Sequence, residues 1–175
     1  MKISTTPSVV IRILLWGLLL FGGAWAGFAL DEKLFPHWEP SLAERLGMLL
    51  LGAGILRLAF GAAAAGGREL ARRGREGDLP RLETNRLVTD GIYACTRHPM
   101  LFGLIFLPLG LALLLGSPSF VLIIAPLEGL FVLLMILTLE EKEAIAKFGD
   151  AYREYRRRTP ILPRNRECWR MLLGI

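Results

Sequence analysis

At 175 residues, 53% apolar and only 21% charged, with a mean hydropathy of +0.46, the chain is too oily for a soluble domain of its size and too short for several domains. Its 21 Lys and Arg against 16 Asp and Glu give a net charge of +5, but the charges fall in two blocks between apolar runs. That layout suits loops facing anionic lipid and argues against a nucleic-acid partner. Two cysteines, Cys95 and Cys168, exclude a disulfide framework, and with His37 and His98 as the only histidines no metal site is expected.

In chain order, four apolar runs approach the ~20 residues that cross ~30 Å of hydrocarbon: 9–30, 42–65, 99–115 and 119–139, the third falling short. The first run is open to a second reading. Lys2 and Arg12 precede its apolar stretch and Ala24-Trp25-Ala26 resembles a cleavage site, as in a signal peptide, but the run is long for that and Trp25 suits a membrane interface. Gly23 and Gly27 have the spacing of a closely packed helix pair. Arg12 and Arg57 are expected to snorkel toward the cytoplasmic ends of their spans. The low-complexity stretch from Gly61 to Gly67 is read as a helix end. Gly116-Ser117-Pro118-Ser119 supplies a helix-ending glycine, a capping serine and a first-turn proline, so the third and fourth runs should form a tight hairpin. Glu128, near the middle of the fourth run, is costly there unless protonated, paired or lining a wet cavity; it serves either as polar helix glue or as site lining.

Arg68, Arg72, Arg73, Arg75, Arg81, Arg86 and Arg97 lie between the second and third runs, and nine Lys or Arg follow Glu140. The first connection carries only Lys33 as a basic residue and the hairpin turn carries no charge, so both basic blocks and both termini are assigned to the cytoplasm. The expected architecture is an all-α integral membrane protein of about four transmembrane helices, with a C-terminal helical hairpin and a cytosolic amphipathic helix. It divides into an N-terminal helix pair, 1–67, and a catalytic region, 68–175, which holds the basic loop, the hairpin and the cytosolic C-terminal segment.

Two unusual segments flank the hairpin. Before it, Pro99 disfavours helix at His98 and suits the first helical turn, which places Arg97 and His98 at a helix entrance where an anion would settle. After it come Glu140-Glu141-Lys142-Glu143 and a charged helix whose Ile145, Phe148, Tyr152 and Tyr155 share one apolar face. Because a hairpin returns to the side it left, Glu140 and Glu141 should come back to the depth of Arg97 and His98. The end of the chain, from Cys168, reads as an interfacial anchor and not as a prenylation box.

The ordered set Gly91-x-Tyr93-x-x-x-Arg97-His98-Pro99, Glu140-Glu141, Phe148-Gly149-x-x-Tyr152-x-x-Tyr155 and Pro160-x-x-Pro163 resembles the membrane methyltransferases related to isoprenylcysteine carboxyl methyltransferase and phospholipid N-methyltransferase. The likeness covers roughly residues 78–163. It implies S-adenosylmethionine as cofactor, with a cytoplasm-facing active site and a lipophilic or lipid-modified acceptor beside membrane lipid. It places Tyr93, Arg97, His98, Pro99, Gly103, Glu140 and Glu141 at the cofactor site, with Arg97, His98 and Glu140 as catalytic residues. Leu101 stands where these relatives usually carry tyrosine after R-H-P-x. Within that frame Arg97 is a candidate clamp for a carboxylate and Glu140 or Glu141 a candidate acceptor for ribose hydroxyls or an ammonium group. Two rival readings are a sterol-type membrane reductase using NADPH and a non-enzymatic four-helix scaffold.

Overall fold

The computed structural model describes residues 5–78 and 84–173, with side chains from 14 to 78 and from 84 to 172. Arg81 and the side chain of Arg12 lie outside these limits. The described chain is all-helical: α1 (Thr5–Leu34), α2 (Leu42–Arg73), α3 (Ile92–Cys95), α4 (Pro99–Leu115), α5 (Ala125–Met135), α6 (Glu141–Phe148), α7 (Asp150–Arg158) and α8 (Arg166–Leu173). Two π-helical segments, Phe120–Ile124 and Ile136–Glu140, join α5 to its neighbours, so that Phe120–Phe148 runs as one 29-residue helix.

Among the described residues, three helices are long and apolar enough to cross a membrane: Leu14–Leu34, Leu42–Arg73 and Phe120–Phe148. The fourth expected span, α4, has 17 residues, or about 26 Å of helix, and is shorter than the other three. The protein is thus an integral membrane protein. One boundary expectation is overturned: α2 does not end within Gly61–Gly67 but continues to Arg73. Four successive alanines, the best helix formers, carry it through, and Gly66 admits a neighbour, since a Cβ there would lie 2.9 Å from Pro99 Cγ. Arg68, Arg72 and Arg73 are therefore helical rather than part of a loop, and Arg73 meets Glu69 one turn earlier at 3.2 Å. Arg57 is exposed midway along α2.

The chain forms two compact units, with α2, α4 and α5 contributing to both. The first comprises Met1–Leu56 and Phe106–Leu130. There the glycines of α1 admit the helix that follows the hairpin: a Cβ on Gly27 would stand 2.7 Å from Phe120 Cβ, and one on Gly23 would stand 2.1 Å from Glu128 Oε1. Small residues thus set the approach, as their spacing predicts. Glu128 is 6% exposed and its Oε2 has no hydrogen-bond partner. The hairpin follows its sequence signals closely. Gly116 has φ +72°, Ser117 Oγ accepts from the Phe120 N–H at 3.1 Å, and Pro118 occupies the first turn. Arg45 donates to the Leu115 carbonyl at 3.3 Å and Asp31 accepts from the Ser119 N–H at 2.7 Å, a cation at one helix end and an anion at the other start.

The second unit comprises Arg57–Ile105 and Phe131–Ile175. Gly103 on α4 faces α2 so closely that a Cβ would stand 2.2 Å from the Ala59 carbonyl oxygen. The single amphipathic helix expected after Glu140 is broken in two at Gly149, whose φ of +58° lies where side-chain-bearing residues are strained. Tyr152 and Tyr155 are buried, whereas Ile145 and Phe148 are half-buried. The two cysteines, whose pairing the sequence reading did not anticipate, form a disulfide across 73 residues that ties α3 to α8. Leu172 is buried and Trp169 packs edge-on against Phe102 at 5.7 Å, so α8 is attached to the protein by more than its amphipathic character.

The Gly103 contact is with backbone, which cannot yield as a side-chain tip can. Gly103→Ala is expected to destabilise the protein by about 1–3 kcal/mol in thermal unfolding in detergent. Gly54→Ala, at a position with no atom within 4 Å, should be neutral or stabilise by up to about 1 kcal/mol.

Candidate active site

Local sequence positions the site from both sides of the hairpin. Gly91, with φ +61°, turns the chain into the single turn α3; Thr96 is extended, and Pro99 then opens α4. His98 supplies the first carbonyl of α4, accepting from the Phe102 N–H at 2.8 Å. The approach is held by the residues that follow α7. Arg97 N–H donates to the Pro160 carbonyl at 3.0 Å, Thr96 Oγ1 donates to the Ile161 carbonyl, and Tyr155 OH donates to the Tyr93 carbonyl at 2.6 Å. Tyr93 OH reaches the Gly66 carbonyl at 3.5 Å.

On the far side, the π segment Ile136–Glu140 immediately precedes Glu141. An extra residue in a turn rotates everything after it by about 100° around the helix, and such bulges concentrate at functional sites. Glu141 points inward: it is 1% exposed, and the anion expected at the α4 entrance is its carboxylate. Oε1 accepts from Arg97 Nε at 2.8 Å, is ion-paired with Arg97 Nη2 at 2.8 Å, and lies 3.4 Å from His98 Nε2. Oε2 is 2.8 Å from Arg156 Nε. Tyr152 OH stands 3.2 Å from His98 Nε2 and completes the cluster.

The Arg97 guanidinium is almost fully engaged. Besides Glu141, its Nη1 donates to the carbonyls of Arg156 at 3.0 Å and Thr159 at 2.7 Å. With three N–H donors hydrogen-bonded and Nη2 ion-paired to Glu141, a bidentate grip on a ligand would require it to release Glu141 or the Arg156–Thr159 backbone. Burial pulls the His98 imidazole pKa below its ordinary value of 6.5, and the neighbouring Glu141 carboxylate offsets only part of that shift. His98 is consequently neutral at pH 7. Burial, with Glu141 next in size, pushes the Tyr152 phenol up to about 12, and burial also raises the phenols of Tyr93 and Tyr155. All three tyrosines keep their protons.

Of the residues singled out from sequence, the structure brings Arg97, His98 and Glu141 into one cluster, with Tyr93 and Pro99 buried beside it in the packing of α2, α3 and α4. Gly103 is turned to Ala59 of α2. Glu140 is half-buried at the end of the π segment, and Leu101 is half-buried on α4. Sequence reasoning missed Arg156 and the carbonyls of Thr159 and Pro160. A signal for Arg156 was present, since it follows Tyr152 by four residues and so shares its side of a helix.

The family model described as phospholipid methyltransferase matches residues 47–151, which include Arg97, His98 and Glu141. The chain belongs to the phospholipid methyltransferase family. A protein-S-isoprenylcysteine O-methyltransferase from Schizosaccharomyces pombe is 40% identical to this family member over 74 residues, 42% of this chain. The matched part spans 31% of the length of that relative. No solved structure matches.

Breaking a buried ion pair by removing one charge leaves the other uncompensated, which costs about 3–5 kcal/mol. Glu141→Gln should therefore lower stability by about that amount in chemical or thermal unfolding. A loss below 1 kcal/mol would mean that the cluster is solvated and that Glu141 does not organise it.

Proposed function

We propose that the protein transfers a methyl group from S-adenosylmethionine to a lipophilic acceptor, an isoprenylcysteine-type carboxylate or a phospholipid amine, at the cytosolic membrane face. The observation that carries this reading is the joining of Arg97 and His98 to Glu141 across the hairpin, inside the region matched by the family model. Membership of the family and the likeness to a methyltransferase acting on isoprenylcysteine support the reaction class. The two basic blocks flanking the apolar helices support a cytoplasmic orientation of both termini.

The donor set fits a sulfonium cofactor. Glu140, Tyr152 and His98 offer acceptors for an ammonium group and for ribose hydroxyls, and Arg156, positioned by Glu141, offers a partner for a carboxylate. Bound there, the cofactor supplies an electrophilic methyl group. The chain's task is then alignment and exclusion of water, because an in-line displacement that dissipates positive charge needs little else. Arg97 acts chiefly by fixing Glu141 and the backbone around Thr159, and it orients the pocket rather than gripping a ligand. Neutral His98 can take a proton from an amine acceptor, whereas a carboxylate acceptor needs no base and His98 then serves to orient it.

The acceptor reaches the site from the bilayer. Pro108 within α4 and Pro126 within α5 each withhold a backbone donor, leaving helices that can bend to admit an apolar chain. With each buried methylene worth ~0.8 kcal/mol, removing ten methylenes from the acceptor tail should raise the apparent KM by orders of magnitude. A chain-length series with labelled S-adenosylmethionine at constant detergent, corrected for micellar partitioning, measures this. Equal efficiency for short, water-soluble acceptors would reject lateral entry, and absence of transfer to every acceptor would reject the reaction.

A further inference from the structure

Helix α7 has two distinct sides. Tyr152 and Tyr155 are buried, while the exposed Arg153 and Arg157, four residues apart, fall on a side turned away from them, with Arg156 between the two sides. These three arginines and Ile145 of α6 line an open surface cleft of about 370 Å³. We propose that this cleft is a phosphate-binding site, taking a phosphate monoester or diester such as the headgroup of an anionic phospholipid.

Three features favour that ligand. The first is the number and kind of cations. Three guanidinium forks match the oxygens of a tetrahedral anion, whereas one fork already satisfies the two oxygens of a carboxylate. The second is availability. Arg153 is held by Asp150 at 2.6 Å and Arg157 by Glu154 at 3.5 Å, but both carboxylates are exposed and on the same helix. Pairs of that kind contribute little, so a multiply hydrogen-bonded phosphate displaces them. The third is preorganisation. Arg156 is anchored through Nε to the buried Glu141, and its own carbonyl accepts from Arg97, so one wall of the cleft is fixed before any ligand arrives. Ile145 gives the opposite wall an apolar surface, which suits the carbon skeleton attached to a phosphate ester. The cleft is also coupled to the Arg97–His98–Glu141 cluster through Arg156.

The inference shares Arg156 with the proposed donor site but does not depend on methyl transfer, and it is tested with the whole chain in neutral detergent. The probes are inorganic phosphate and dihexanoyl phosphatidic acid below its micelle concentration, titrated by calorimetry at low and high salt. Saturable binding weakened at least tenfold in Arg153→Gln/Arg157→Gln, with the ligand-free melting temperature unchanged, is expected. A tenfold preference for phosphatidic acid assigns the site to a lipid headgroup, whereas equal affinity for both probes assigns it to free phosphate. If the double variant fails to melt cooperatively, Arg153→Gln and Arg157→Gln are titrated singly, and each should weaken binding at least threefold. Failure of both probes to saturate, or variant affinities within twofold of wild type, overturns the proposal. So does displacement of bound phosphatidic acid by S-adenosylhomocysteine, which would assign the cleft to the methyl donor.

Discussion

The proposed site depends on one buried carboxylate. Glu141, at the start of α6, sits at 1% exposure with Arg97 and His98 from the approach to α4 and Arg156 from α7 around it. A lone carboxylate at that depth would be neutralised or expelled, because its desolvation costs several kcal/mol. Two guanidinium groups on its two oxygens make the charge tolerable, and in return the carboxylate fixes where those groups lie. The approach to α4, the start of α6 and the end of α7 are thereby held in one arrangement. Arg97 extends that arrangement to the Thr159 carbonyl, and the Pro160 and Ile161 carbonyls bind the segment beyond it.

A division of labour follows. Arg97 and Glu141 are occupied with each other, so the chemistry of a ligand falls to groups at the margin of the cluster: the neutral imidazole of His98, the protonated phenol of Tyr152 and the guanidinium of Arg156. This arrangement suits a reaction that needs orientation more than acid or base catalysis. It also gives the disulfide a structural sense, because Cys95 lies two residues before Arg97 and its bond to Cys168 holds α8 against the same approach. Membership of the phospholipid methyltransferase family gives the reaction class, and the proposed site at Arg97, His98 and Glu141 lies within the matched region.

Much of this was legible in the sequence, for local reasons. The turn Gly116-Ser117-Pro118 states its own geometry, Gly23 and Gly27 announce a close crossing, and a proline after His98 marks a helix start. The return of an acidic pair to the level of Arg97 and His98 follows from the hairpin alone. What could not be read depends on rotation about a helix or on distant packing. Which of Glu140 and Glu141 faces inward turns on the π segment Ile136–Glu140, and π turns leave no composition signal. The break at Gly149 interrupts an apolar periodicity that, read by itself, continues through it. The close packing of Gly103 against Ala59 and the Cys95–Cys168 pair join residues whose proximity only tertiary structure reveals.

The central claim is that the cluster around Glu141 organises a site for a sulfonium donor. Calorimetric titration of the purified protein with S-adenosylhomocysteine and, separately, with NADPH tests it most directly. The account predicts saturable one-to-one binding of S-adenosylhomocysteine that is lost in Glu141→Gln variants still showing a folded melting transition, and no binding of NADPH. Saturable binding of NADPH with none of S-adenosylhomocysteine would contradict it.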